Sequence, residues 1–90
     1  MKTVNKKIWP KYFNDVLLRN KRFELRQDDD DIQVGDILNL QEWDPDTQQY
    51  TGRQAACSVT YVLRNVSSPN ELWNFGLRDG FCIIGFARWN

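Results

Sequence analysis

The sequence predicts a small α+β domain in which one main N-terminal helix lies beside about five strands that curl into a barrel-like sheet. Three observations predict it. Ninety residues leave room for a single domain, residues 1–90. A hydrophobic content of 41% and an aromatic content of 13% supply a core and argue against disorder. The apolar period changes near residue 21 from helical spacing to the alternation of strands.

The first two elements are a short strand over 4–8 and an amphipathic helix over 10–19. Pro10 suits the first helical position because the N–H that it lacks has no partner there. Apolar side chains then recur at three- and four-residue spacing. They are Tyr12, Phe13, Val16 and Leu17.

Four further strands follow. We expect them over 22–26, 37–43, 53–63 and 81–89, the last apolar on both faces and therefore central. Phe23 and Leu25 alternate with Glu24 and Arg26, which predicts a half-buried strand. The residues predicted to share one face of the third of these strands are Ala55, Cys57, Val59, Tyr61 and Leu63.

The connections carry turn residues. Val34-Gly35-Asp36 predicts a turn, and Asp44-Pro45-Asp46-Thr47 predicts a hairpin loop because proline stands where a type I turn favours it. Glu71 to Asn74 predicts one helical turn.

Composition excludes several classes of protein. The chain has no histidine, the commonest general base and a common zinc ligand. Cys57 and Cys82 show no metal-site spacing, and we expect both to be buried, inert thiols. No apolar run approaches the roughly 18 residues of a membrane span, and no signal peptide is evident. We therefore expect a cytoplasmic protein with no cofactor, no metal and no membrane partner.

The net charge of zero hides an uneven distribution. Residues 1–26 hold eight basic and two acidic side chains, hence +6, whereas residues 27–90 hold four basic and ten acidic ones, hence −6. Such asymmetry indicates a polar, anionic partner for the basic segment.

The stretch from Lys21 to Arg26 is the most specific candidate site. Glu24 and Arg26 share one strand face because strand side chains alternate, and Lys21 stands at the junction of helix and strand. One rigid element thus carries an ammonium group, a carboxylate and a guanidinium group with paired N–H donors. Such a set of groups suits a phosphate or a polar heteroaromatic ring. The alternative is a surface ion-pair cluster worth about 0–1 kcal/mol.

These residues resemble the motif G-x-K-x-x-E-x-R of the ASCH superfamily. More closely, the chain resembles a bacterial and phage branch of that superfamily that is called a domain of unknown function. The matching segments cover nearly the whole chain in order. They are Trp9-Pro10-Lys11-Tyr12-Phe13, Lys21 to Arg26, Val34 to Leu38, Tyr50-Thr51-Gly52-Arg53 and Gly76 to Phe81.

The resemblance implies a PUA-like β-pseudobarrel with a cleft between helix and barrel that holds Lys21, Glu24 and Arg26. It also implies RNA binding. Some small relatives are amidohydrolases that deacylate a modified cytidine with the motif lysine, a threonine and a glutamate. Lys21 takes the place of that lysine, whereas Glu24 stands where the threonine would be and has no hydroxyl, and the loop over 67–80 offers no clear counterpart of the relatives' second carboxylate.

Two positions depart from the motifs. Arg19 replaces the opening glycine, which adds charge at the entrance of the cleft. The run Asp28-Asp29-Asp30-Asp31 stands where the branch usually carries a basic residue, so this rim repels phosphate. A short acidic run without ordered ligand spacing predicts a solvated turn rather than a cation site.

We expect a binding module rather than an enzyme, with RNA or a nucleotide-like small molecule as its ligand. The predicted ligand-binding residues are Lys21, Glu24, Arg26, Arg19, Arg22, Lys11, Trp9 and Tyr12. Two alternatives remain. One is a small nucleoside amidohydrolase with Lys21 and Glu24 as catalytic residues, and the other is a phage or mobile-element accessory protein whose basic face binds a protein partner.

Overall fold

The computed structural model describes residues 1–64 and 77–89, and within them it shows five strands and one helix. The elements are β1 (Thr3–Ile8), α1 (Pro10–Leu17), β2 (Phe23–Gln27), β3 (Ile37–Asp44), β4 (Gln49–Arg64) and β5 (Phe81–Arg88). All five predicted strands are confirmed, with ends displaced by a few residues. The predicted helical turn over 71–74 lies outside the described residues.

The strands form one mixed sheet in the order β1-β3-β4-β5-β2. β1 is parallel to β3, and the other neighbours are antiparallel. The sheet curls into a half-barrel with α1 beside it, which confirms the predicted barrel-like α+β architecture. Curling leaves β1 and β2 as the two edges of the sheet, and we call the gap between these edges the seam. β5 is an inner strand, as predicted.

The core lies on the concave side of the sheet. Its largest fully buried side chains are Phe13, Leu38, Leu40, Ile84, Val16, Cys57 and Cys82. Both thiols are buried and unbonded to each other, and burial raises the pKa of the Cys57 thiol to about 11. The prediction of buried, inert cysteines is therefore confirmed for Cys57.

The helix α1 ends two residues earlier than predicted. The N–H groups of Arg19 and Asn20 donate to the carbonyls of Val16 and Asp15, at 3.0 and 2.9 Å. This pair of bonds is a Schellman motif, which closes a helix with a left-handed residue that is usually glycine. Arg19 occupies that position with φ of 62°.

The strand β2 buries the face opposite to the one that its apolar residues predict. Glu24 is 6% exposed, whereas Phe23 and Leu25 are 55% and 56% exposed. The register explains the reversal, because Glu24 pairs with Ile84, a core residue of β5. The expectation that Phe23 and Leu25 would form the buried face is wrong.

The predicted inward face of β4 holds only in the middle of the strand. Ala55, Cys57 and Val59 are buried, but the register shifts between Val59 and Tyr61, and Tyr61 is 63% exposed. An extra residue at a bulge exchanges the two faces of a strand beyond it. The assignment of Tyr61 to the inner face is therefore wrong.

The acidic run is largely the solvated turn that its composition predicts, since Asp29, Asp30 and Asp31 are exposed, but its carboxylates also form ion pairs. Lys6 forms ion pairs with Asp29 and Asp30, and Arg64 forms one with Asp28, with 2.7 Å between Nε and Oδ2. The pairing with Asp30 and Asp29 raises the pKa of the Lys6 ammonium against the effect of its partial burial. Because Lys6 belongs to β1 and Asp29 and Asp30 follow β2, the ion pairs of Lys6 tie the edges of the seam together, whereas that of Arg64 starts from the inner strand β4.

In the described part of the chain, no helix is long and apolar enough to cross a membrane.

Candidate functional site

An open concavity of about 410 Å³ lies where α1 begins, beside the seam. We call it the cleft. It draws on the end of β1, the start of α1 and the strand β2. Its lining residues are Lys7, Ile8, Trp9, Tyr12, Lys21, Phe23, Glu24, Leu25 and Arg26.

A buried carboxylate between two cations forms the charged part of the cleft. Lys21 Nζ lies 3.3 Å from Glu24 Oε1, and Arg26 Nε donates to Glu24 Oε2 at 2.9 Å. The Glu24 side chain is 8% exposed, whereas those of Lys21 and Arg26 are 19% and 25% exposed. Partial burial makes these pairs stronger than pairs on an open surface.

Arg26 also crosses the seam. Its Nη2 donates to the carbonyl oxygen of Lys7 in β1. Two of its five N–H donors are thus engaged by the protein, one by Glu24 and one by Lys7, which leaves others for a ligand. The guanidinium is therefore held in place before any ligand arrives.

Exposed aromatic rings form the wall of the cleft. Trp9, Tyr12 and Phe23 are 54%, 43% and 55% exposed. Lys21 Nζ lies 5.6 Å from the ring centroid of Tyr12 and 4.8 Å from that of Phe23. Solvated rings around a fixed set of charges are suited to a planar, polar heterocycle, which stacks on the rings and bonds to the charged groups.

Five of the eight residues predicted to bind a ligand line the cleft. They are Trp9, Tyr12, Lys21, Glu24 and Arg26. Arg19 and Arg22 instead line a second concavity, which shares Lys21 with the cleft. Lys11 belongs to the lining of neither, and its Nζ lies 5.6 Å from the ring centroid of Tyr12.

Sequence reasoning missed four of the lining residues, which are Lys7, Ile8, Phe23 and Leu25. Phe23 and Leu25 looked like core residues because they alternate with charged ones. The sequence did contain one signal. One face of β2 is apolar and the other carries both Glu24 and Arg26, and a small sheet can bury only one of these faces. Lys7 was missed because its contribution depends on the approach of β1 to β2, which local spacing does not reveal.

A second buried acid lies on β3. Glu42 is 3% exposed and accepts two bonds from Arg53, from Nε at 2.8 Å and from Nη2 at 2.7 Å. Thr51 Oγ1 donates to the same carboxylate at 2.5 Å. The bonds from Arg53 hold the pKa of Glu42 below its usual range. The Thr51-Gly52-Arg53 part of the sequence motif is thus explained by an ion pair that links β3 to β4.

The remaining motif residue, Tyr50, belongs to an aromatic pair on the same two strands. The rings of Trp43 and Tyr50 meet edge to face with centroids 5.0 Å apart, and Lys7 Nζ lies 3.8 Å from the Trp43 centroid. Because Lys7 also lines the cleft, this pair lies at the cleft's margin.

Among the residues that the structure describes, no group of three or more His, Cys, Asp or Glu side chains is placed to hold a metal ion.

Comparison with known families gives one match. Residues 3–86 match the domain of unknown function DUF3850. The chain belongs to this family. The match covers β1 to β4, most of β5 and all of the cleft-lining residues. No curated protein matches the chain. Membership of the ASCH superfamily and a PUA-like pseudobarrel stay predictions.

Proposed function

We propose that this member of the DUF3850 family is a non-catalytic module that binds a nucleotide, either free or as an exposed residue of RNA, with its base in the cleft. The proposal includes the predicted PUA-like character of the fold. The observation that carries it is the convergence of Lys21, Glu24 and Arg26 in one open concavity beside exposed aromatic rings. An ion-pair cluster with a merely structural role would not require such a concavity.

Each group has a role in this proposal. The Glu24 carboxylate accepts hydrogen bonds from an exocyclic amino group or ring N–H of the base, and Lys21 and Arg26 donate to ring or carbonyl acceptors. The base stacks on Trp9, Tyr12 or Phe23, a contact worth about 1–3 kcal/mol per base. Lys11 adds positive charge near the entrance of the cleft and accelerates encounter with an anion.

No observation favours the amidohydrolase alternative. Among the described residues that line the cleft there is no serine or threonine hydroxyl and no thiol, and Lys21 is engaged with Glu24. The alternative predicts that the protein releases an acyl group from an acylated cytidine and that turnover disappears in Lys21→Ala. Chromatography of the reaction mixture measures both.

The binding proposal predicts that Lys21→Ala weakens binding of a short single-stranded RNA of mixed sequence by about tenfold in a protein that remains folded. Lys21 contributes donors to the ligand, and because Arg26 still pairs with the buried Glu24 carboxylate, the variant is expected to lose about 1–3 kcal/mol of stability without unfolding. Fluorescence anisotropy at low salt measures the affinity, and thermal unfolding followed by circular dichroism measures the stability.

The matched control is Arg78→Gln, which removes one positive charge near the start of β5, outside the cleft. It is expected to bind the RNA almost as the parent protein does. If Lys21→Ala binds as well as Arg78→Gln, the cleft is not the binding site. If neither RNA nor a nucleotide binds the parent protein, a pulldown with and without nuclease tests the protein-partner alternative instead.

A further inference from the structure

A second, basic concavity lies beside the C-terminal end of α1. It has a volume of about 150 Å³ and shares Lys21 with the cleft. Its other lining residues are Val16, Arg19, Arg22, Phe86, Ala87 and Arg88. Four cationic side chains and no carboxylate therefore surround it. A volume of this size accommodates a group several times larger than a water molecule.

Two of the guanidinium groups are fixed by backbone carbonyls. Arg22 Nε donates to the carbonyl of Arg19 at 2.9 Å, and Arg88 Nη1 donates to the carbonyl of Leu17 at 2.8 Å. Each bond uses one of five N–H donors, so most of the donors of both side chains remain available. Both guanidinium groups are thus held in place, and each keeps N–H donors that can bind a ligand.

Three of the four cations of this concavity have no acidic partner within the described part of the chain. There, no carboxylate pairs with Arg19, Arg22 or Arg88, whereas Lys2, Lys6, Lys21, Arg26, Arg53 and Arg64 all have acidic partners. One cation would suffice to satisfy the last carbonyls of the helix and to interact with its dipole. Three guanidinium groups exceed that need.

The backbone of Arg19 is a further indication. Its φ of 62° places it in the left-handed region, where a side chain costs free energy that glycine would avoid. The Schellman bonds do not require an arginine at this position, because they use only backbone atoms. What the side chain adds is a guanidinium group at the wall of the basic concavity.

We propose that the basic concavity binds the phosphate group of the ligand whose base occupies the cleft. Lys21, which lines both concavities, contacts the ligand between its base and its phosphate. This inference rests on the proposed function and makes it more specific, because the preferred ligand is then a nucleotide and not a nucleoside. A phosphate monoester of a free nucleotide and a phosphodiester of RNA share the required chemistry.

Titration calorimetry with the four ribonucleosides, their 5′- and 3′-monophosphates and the corresponding dinucleotides tests the inference. At least one monophosphate or dinucleotide is expected to bind about tenfold more tightly than its nucleoside, since charge-assisted hydrogen bonds are added. Preference for a monophosphate indicates a free nucleotide, and preference for a dinucleotide indicates RNA.

The decisive variants are Arg19→Gly and Arg22→Gln, each of which removes one guanidinium group. Each is expected to reduce nucleotide affinity about tenfold and to leave nucleoside affinity unchanged, whereas Lys21→Ala reduces both. Arg19→Gly keeps the backbone geometry of the helix end, so loss of affinity does not reflect misfolding. Arg78→Gln is again the matched control for a single lost charge.

The outcomes separate this inference from the proposed function. If nucleosides bind in a Lys21-dependent manner but nucleotides bind no better, or if the arginine variants bind nucleotides normally, the phosphate site is wrong and the proposed function stands. If neither nucleosides nor nucleotides bind, the proposed function is wrong. Inorganic pyrophosphate then tests the anion site alone, since binding that Arg22→Gln abolishes supports it and absence of binding overturns it.

Discussion

At the scale of single residues, Glu24 determines the character of the cleft. A carboxylate on the inner face of a sheet loses hydration, and this costs several kcal/mol unless nearby charges compensate it. Lys21 and Arg26 provide that compensation from within three residues along the chain. All three side chains come from one short segment, and Arg26 is also held by the carbonyl of Lys7, so their arrangement is present before a ligand binds.

We expect Glu24→Gln to lower the free energy of unfolding by about 1–3 kcal/mol, because it removes the charge that Lys21 and Arg26 face while it keeps the shape of the side chain. Urea denaturation at neutral pH measures the change. Asp79→Asn, in an exposed turn, is the control and should alter stability by at most about 0.5 kcal/mol. Equal effects of the two variants would show that the pairs around Glu24 contribute nothing to stability.

A second residue-scale prediction concerns the backbone of Arg19. Arg19→Gly should raise the free energy of unfolding by about 0.5–1 kcal/mol, because glycine adopts a φ of 62° without steric cost. The carbonyl that receives Arg22 and the Schellman bonds are retained. Arg19→Ala removes the same charge but keeps the Cβ. If alanine stabilises the protein as much as glycine, lost charge repulsion and not backbone strain is the cause.

Sequence spacing predicts which residues share a face of β2, but it does not predict which face of β2 turns towards the core. The alternation of side chains places Glu24 and Arg26 on one face, and the structure agrees. Which face turns inward depends on the pairing of β2 with β5, a contact between segments about sixty residues apart. Local patterning therefore predicted Phe23 and Leu25 as buried, when they are the exposed residues beside the site.

At the scale of elements, the N-terminal strand β1 is anchored at both of its ends. Near its start, Asp36 accepts bonds from Lys2 N and Nζ at 3.0 and 2.8 Å and from Gln33 N at 2.8 Å. Near its end, Arg26 donates to Lys7, and this contact closes the seam beside the cleft. The sequence predicts the turn Val34-Gly35-Asp36, and this turn holds the start of β1. The sequence also predicts β1, but it does not indicate which strand β1 pairs with.

The contacts of Asp36 predict a dependence of stability on pH. The bonds from Lys2 and Gln33 hold the pKa of the Asp36 carboxyl well below its usual range. The stabilisation is therefore fully present above an unfolded-state pKa of about 3.9, and it is lost as pH falls towards the lower pKa of the folded state. Asp36→Asn should be less stable than the parent protein at pH 7, with the difference shrinking at pH values below about 3.

Chemical denaturation over this pH range measures the difference between the two proteins. Asp46→Asn, in the exposed hairpin loop, is the control and should follow the parent protein at every pH. A difference that stays constant down to the lowest pH would mean that Asp36 stabilises the fold through packing or neutral hydrogen bonds and not through its charge.

The ends of elements were predictable where side chains or proline determine them and not where tertiary contacts do. Pro10 correctly marks the start of α1, and Asp44 to Thr47 correctly mark the β3–β4 hairpin. The sequence predicts the end of the helix two residues too late, because an arginine such as Arg19, unlike a glycine, is not a typical signal of a left-handed residue. The bulge after Val59 also has no local signal, since alternation continues through Tyr61.

At the scale of the whole molecule, pairing resolves part of the charge asymmetry of the sequence, because Lys2 and Lys6 pair with carboxylates of the acidic segment whereas Glu24 belongs to the basic segment itself. In the described part of the chain, four of the eight basic residues in the N-terminal segment face carboxylates: Lys2, Lys6, Lys21 and Arg26. Lys7 and Lys11 lie beside aromatic rings. Arg19 and Arg22, with Lys21 at the boundary of the cleft, are the cations placed to meet a polyanion in the basic concavity. The molecule therefore carries a local cluster of cations and not a continuous basic track.

This distribution predicts a shallow salt dependence of RNA binding. About three phosphate contacts to a single strand give a slope of about −2 for the logarithm of the binding constant against the logarithm of salt concentration, at about −0.7 per contact. Anisotropy titrations of one single-stranded RNA at several salt concentrations measure the slope. Arg22→Gln should make it shallower by about 0.7, whereas Arg78→Gln should leave it unchanged. A slope of about −5 or steeper would mean that the strand follows a long basic surface, and it would contradict a binding site confined to the cleft and its neighbouring concavity.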